Sequence, residues 1–210
     1  MKSFKTLLVV AVTSATVLSA TTASAAVDAD GRYRDGAEVN YLNHAGLRKA
    51  GAGIYEIKGY NETIQLSTWD SFIAGNNYIG SFWNPNGTES KASSILNTAA
   101  AMDADPGITY TLYDMLNYES TAGTYITVDE ITDIRCDGVV EYAYEWNNVW
   151  VWGRSSDGTT SGTPQHHDIS LTSYTSEHNN LGGTGTIELS PYVQRGGSGL
   201  KWTTMRETGI

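Results

Sequence analysis

The change of pattern at Cys136 constrains this chain most. Before it the sequence is polar and reads as extended. After it Val139, Val140, Ala143 and Trp146 recur at spacings that line one helical face, while Asp137, Glu141 and Glu145 repeat every four residues on the opposite one. A helix is therefore expected to begin at Cys136, with Asp133 as its N-cap. Unpaired backbone N–H groups and the helix dipole both favour a thiolate at that position, so this cysteine can be a nucleophile. The competing reading is commoner: a free cysteine is often a small buried hydrophobe.

The destination of the chain bears on that choice. Lys2 and Lys5, the apolar Leu7–Leu18 run and Ala23-Ser24-Ala25 predict a secretory signal over residues 1–25, cleaved near Ala25. The run is too short and too rich in Thr and Ser for a membrane span, and no other stretch predicts one. Residues 26–210 are expected to form a single secreted domain, present as a monomer. Without the signal, 11 basic residues stand against 23 acidic ones, which argues against nucleic acid as a partner. Cys136 is the only cysteine, so it has no partner for an intrachain disulfide. Outside the cell a lone thiol is exposed to oxidation, and its presence there hints at chemistry.

Residues 26–37 read as a polar, mobile lead-in. Residues 38–42 alternate as a half-buried strand that continues through Asn43–Leu47. The glycines of Lys49–Gly53 make a turn, and Ile54–Ile57 forms the returning strand. A turn centred on Ala50 places His44 directly opposite Glu56, where a carboxylate could hold the imidazole in one tautomer. A one-residue slip would separate the two onto opposite faces. A strand histidine is more often a packed residue than a catalyst.

Further along, Ser67–Ile73 reads as a capped helical turn, Tyr78–Trp83 as a core strand and residues 88–102 as a helix with Ile95, Ala99 and Met102 on its apolar stripe. Asp103 and Asp105 lack the spacing of a calcium loop and read as a solvated helix end. Tyr110–Tyr118 reads as helical, Gly123–Val128 as a loop or strand, and Val149–Trp152 as an aromatic strand or helix exit. Ser155–Pro164 is a Gly/Ser/Thr-rich loop. His166, His167 and His178 do not have zinc spacing, so no metal and no cofactor is expected. Thr186–Leu189 reads as a last strand, and the tail from Gly196 is weakly specified.

The run Arg135-Cys-Asp-Gly-Val-Val-Glu-Tyr-Ala-Tyr144 resembles the nucleophile helix of NlpC/P60-type cysteine amidases, which usually carries Cys-Ser-Gly before an apolar helix. His44-Ala-Gly-Leu resembles the histidine strand of that family. Ile54-Tyr-Glu-Ile resembles the next strand, which carries the third polar residue. Because His44 precedes Cys136, the order resembles the circularly permuted, YiiX-like branch. The resemblance spans roughly residues 36–150; Asp137 departs from the usual Ser, and residues 155–210 have no counterpart.

The resemblance implies an α+β, papain-like permuted NlpC/P60 fold: an antiparallel sheet bearing His44 and Glu56, packed against the helix bearing Cys136. It implies a secreted cysteine hydrolase that cleaves amide bonds through a Cys136–His44–Glu56 site and an acyl-enzyme, with a peptide or other amide as substrate, cell-wall peptidoglycan among them. The backbone N–H of Cys136, and a tyrosine such as Tyr110 or Tyr113, would hold the oxyanion. Asn40, Asn43 and Glu62 stand as alternatives to Glu56. The rival readings are a non-catalytic extracellular binding protein on the same fold and a thiol acyltransferase.

Overall fold

The computed structural model describes residues 28–36, 43–85, 89–119, 123–151, 190–197, 203 and 205–208. The predicted signal, residues 38–42, the loop at 155–164, the three later histidines and the strand at 186–189 lie outside the described residues.

The chain is α+β. Its main sheet has six strands: β1 (Gly31–Arg34), β2 (His44–Lys49), β3 (Gly53–Glu56), β4 (Gln65–Ser67), β5 (Tyr78–Trp83) and β9 (Arg206–Thr208). Their order across the sheet is β4-β3-β2-β1-β5-β9, and every pairing is antiparallel. A second sheet joins β6 (Thr109–Tyr110), β8 (Ile131–Ile134) and β7 (Leu116–Tyr118), with β8 in the centre, parallel to β6 and antiparallel to β7. The helices are α1 (Trp69–Ile73), α2 (Glu89–Asp103), α3 (Cys136–Trp146) and α4 (Pro191–Gln194). Among the described residues no helix is long and apolar enough to cross a membrane.

Strand alternation divides the main sheet into two faces. Tyr33, Ala45, Leu47, Tyr55 and Ile57 face the principal core, where Val139, Val140 and Ala143 of α3 and Ile95, Ala99 and Met102 of α2 meet them. Arg32, Arg34, His44, Gly46, Ile54 and Glu56 belong to the other face, as the pairs Arg32↔Gly46, Arg34↔His44 and Arg48↔Ile54 require. Phe72 of α1 covers that second face, with its ring 5.5 Å from that of His44. Thr68 caps α1 by accepting from the Ser71 N–H at 3.2 Å.

Several expectations need correction. The lead-in contains β1, which is fully buried and lies inside the sheet between β2 and β5. Two arginines disguised it. They are buried because their guanidinium groups lie over aromatic rings: Arg32 over Trp69 and Tyr78, Arg34 over Phe72. Tyr110–Tyr118 is not a helix but the strands β6 and β7 with a turn between them, since backbone pairing to β8 overrides local propensity. Asp133 does not cap α3. It lies within β8, and Arg135 holds the N-cap position, where its side chain makes no capping hydrogen bond to the helix backbone. The tail after Gly196 supplies the edge strand β9.

The β2–β3 hairpin also differs in register. Its pairs Leu47↔Tyr55, Arg48↔Ile54 and Lys49↔Gly53 centre the turn on Gly51, not Ala50. Gly51 has φ +70°, a left-handed conformation that glycine adopts without penalty. Moving the centre by one residue shifts the pairing by two, so facing is preserved. Glu56 falls opposite Gly46, and His44 becomes its diagonal neighbour on the same face.

Candidate active site

His44 and Glu56 meet at the start of β2. Nε2 of His44 lies 2.6 Å from Oε2 of Glu56, and both residues are buried. The diagonal contact is open because Gly46 has no side chain: a Cβ there would stand 3.3 Å from Glu56 Cβ and 2.6 Å from Ile54 Cγ2. On the far side of the carboxylate, Lys58 Nζ is 3.4 Å from Oε1, an ion-pair distance without an aligned hydrogen bond.

The charges follow from this geometry. Burial by itself would raise the Glu56 pKa, yet the hydrogen bond and charge of His44, with Lys58 beyond, hold it below the ordinary carboxylate value. Burial lowers the His44 pKa, the Glu56 hydrogen bond opposes that, and the nearby Arg34 cation lowers it further; the net direction is down. With Glu56 ionised and His44 neutral, Nε2 must carry the proton that Glu56 accepts. Nδ1 is then the unprotonated nitrogen, the one able to act as a base.

Cys136 opens α3 and packs against the same end of β2. The backbone N–H of Ala45, the residue after His44, and that of Asp137 at the helix start both favour its ionised form. The cysteine is 4% exposed. Burial, with the Asp137 charge second, pushes the thiol up to about 12, against those two N–H groups and Arg135. The helix start alone therefore does not outweigh the burial of the thiol. Asp137 is turned toward Arg135, whose Nε and Nη2 donate to its two carboxylate oxygens at 2.6 and 2.9 Å.

The acidic row on α3 is not a solvated face. Asp137, Glu141 and Glu145 are all fully buried. Gln194 of α4 covers the middle of the row: its Nε2 donates to Glu141 Oε2 at 2.6 Å and to the Asp137 carbonyl at 3.0 Å, while its Oε1 accepts from Tyr33 at 2.8 Å. The C-terminal segment thus fastens the cysteine helix to β1.

Among the alternatives to Glu56, Asn43 accepts from Arg195 Nε at 3.0 Å, and Glu62 accepts from Gln65 at 3.2 Å. Asn40 lies outside the described residues. Tyr113 is 67% exposed on the 111–115 turn, whose Met115 carbonyl receives the Arg135 N–H. Tyr110 packs edge-on against Tyr60. Asp105 accepts from the Gly107 N–H at 2.8 Å in an ordinary turn after α2. Among the described residues no group of three or more His, Cys, Asp or Glu could hold a metal ion.

Sequence reading missed Arg34. It pairs directly with His44 across β1 and β2, is 6% exposed, and interacts electrostatically with both Glu56 and Cys136. The signal was present in the alternation of Arg32, Tyr33 and Arg34, with one apolar residue between two that face the other way. The chain matches no family model, no curated protein and no solved structure.

Proposed function

We propose that this chain is a secreted cysteine hydrolase of the permuted NlpC/P60 type, acting on amide bonds through Cys136, His44 and Glu56. The observation that carries the reading is the 2.6 Å contact of His44 with Glu56 at the end of β2 whose Ala45 backbone favours the ionised Cys136 sulfur. The order of elements, histidine strand, carboxylate strand and then cysteine helix, supports it.

The raised thiol pKa and the lowered histidine pKa favour a resting pair of neutral thiol and neutral imidazole. His44 Nδ1 takes the proton as the sulfur attacks the carbonyl carbon, and Glu56 steadies the imidazolium that forms. Backbone N–H groups at the start of α3 are the proposed donors to the developing oxyanion. The C–N bond then breaks, His44 returns the proton to the leaving amine, and water releases the acyl group as a carboxylate. Cell-wall peptides are the extracellular amides proposed as substrates. An acyltransferase would run the same first step and deliver the acyl group to an amine or alcohol in place of water.

A second reading has its own observation. Cys136 is buried and its thiol is pushed up to about 12, which suits a packing residue in a non-catalytic binding protein.

Acylation separates them. The protein lacking residues 1–25 is mixed with a p-nitrophenyl ester, and p-nitrophenol release and intact mass are followed. The hydrolase reading expects a burst near one equivalent, an acyl adduct on Cys136, and loss of both in Cys136→Ser and His44→Ala. Added amines that capture the acyl group would identify a transferase. No burst, together with equally slow iodoacetamide alkylation in wild type and His44→Ala, would leave the binding-protein reading in its place.

A further inference from the structure

A cavity of about 310 Å³ opens between the β2–β3 hairpin, β1 and the start of α1. It lies on the sheet face that carries His44, but at the opposite end of β2. Arg32, Arg48, Ile54, Thr68, Trp69 and the turn 51–53 line it, and none of its lining residues is acidic. Lys49 also borders it, but its ammonium lies 3.4 Å from the Tyr55 hydroxyl on the core side of the sheet. Arg32 and Arg48 are thus the cationic side chains on this face of the cavity, in a chain of net charge −10.

Arg32 gives the cavity its character. It is 7% exposed, and its guanidinium lies 5.9 Å from the Trp69 ring centre and 5.6 Å from that of Tyr78. One nitrogen, Nη1, donates to the Tyr78 hydroxyl at 2.6 Å, while Nε has no hydrogen-bond partner among the described residues. A buried guanidinium with an unused N–H is costly unless an anion completes it, and its planar fork matches carboxylate and phosphate oxygens. Beside it Trp69 is 44% exposed, which leaves an aromatic surface at the cavity wall. The volume is at the lower end of small-molecule sites.

We propose that this cavity binds an anionic sugar, with the anion between Arg32 and Arg48 and the ring of the ligand against Trp69. The site is independent of the chemistry at Cys136. It would recognise an acidic carbohydrate whether or not that cysteine is a nucleophile.

The test is two-dimensional NMR of the protein lacking residues 1–25, titrated with glucuronate, glucose 6-phosphate and glucose, and repeated in Cys136→Ser, Arg48→Gln and Arg32→Lys. The expected result is a saturable shift of the Trp69 indole N–H and the 51–53 amides with at least one of the two anions. Glucose should bind about tenfold more weakly or not at all, since the charge-assisted bonds are lost. Binding should persist in Cys136→Ser and weaken about tenfold in Arg48→Gln. Response to only one anion would identify carboxylate or phosphate as the recognised group. Arg32→Lys keeps the charge and removes the fork, so weaker anion binding in a folded variant would support the role of Arg32. Equal binding of glucose, no shift at these positions with either anion, or unchanged affinity in Arg48→Gln would overturn the proposal. These outcomes do not depend on whether the ester burst occurs.

Discussion

His44 and Glu56 are diagonal neighbours across β2 and β3, and they touch at 2.6 Å through the gap that Gly46 leaves. Glu56→Gln retains a hydrogen-bonding group but removes the charge that steadies an imidazolium. Its expected effect is a fall of about 10²-fold in acylation rate with the fold intact. Glu56→Ala also removes the buried acceptor and should cost about 1–3 kcal/mol of stability. A Glu56→Ala protein that melts like wild type would mean that the contact contributes nothing to the fold.

Stability should fall on both sides of neutrality, for different residues. His44 is held below its ordinary pKa of ~6.5, so below that pH the unfolded chain takes up a proton that the folded one refuses, and stability drops. Glu56, also depressed, stabilises the fold above ~4.3 and loses that contribution as pH falls further. Cys136 acts in the opposite direction. Its thiol is raised to about 12, so from ~8.5 upward the unfolded chain ionises first and stability declines. Urea titrations from pH 5 to 10 should show a plateau between roughly 6.5 and 8.5. Cys136→Ser should flatten the alkaline slope below pH ~10, where tyrosines begin to contribute. An unchanged slope would place the thiol pKa near its ordinary value.

Arg34 faces His44 across the sheet and depresses its pKa. In Arg34→Gln the imidazole should titrate at a higher pH, leaving less of the neutral base at mildly acidic pH. Observing the His44 ring by NMR through a pH series checks this directly. If the titration does not move, the guanidinium is screened from the ring, and Arg34 is a structural residue only.

Gly138, in the first turn of α3, sets helix propensity against packing. Gly138→Ala should gain about 1 kcal/mol from propensity alone. The new Cβ, however, would stand 2.3 Å from the Met115 carbonyl oxygen and 2.6 Å from Ile134 Cγ1. Backbone cannot yield as a side chain can, so overlap of this kind costs about 1–3 kcal/mol or more. The expected net effect is destabilisation, with the start of α3 displaced. A higher melting temperature would show that the 111–115 turn moves aside freely.

The elements legible in the sequence were those whose pattern is local. The hairpin glycines, the Thr68 cap, the Ile95–Ala99–Met102 stripe and the apolar face of α3 all report on residues within a turn or two of each other. The pairing of His44 with Glu56 was also within reach, because an even register shift preserves facing. The burial of Asp137, Glu141 and Glu145 was not legible. A row of acids reads as a wet face until Arg135 and Gln194, the second of them more than fifty residues away, are brought against it.

The amino-acid order by itself determined that a helix begins at Cys136 and that a glycine turn joins the strands carrying His44 and Glu56. Tertiary structure alone decided the rest. β1 lies inside the sheet because Trp69, Phe72 and Tyr78 accept two arginine guanidiniums against their rings. Tyr110–Tyr118 is extended because β8 supplies its hydrogen-bond partners. The Cys136 thiol is pushed up because burial outweighs the helix start, and burial depends on which surfaces the folded chain brings together.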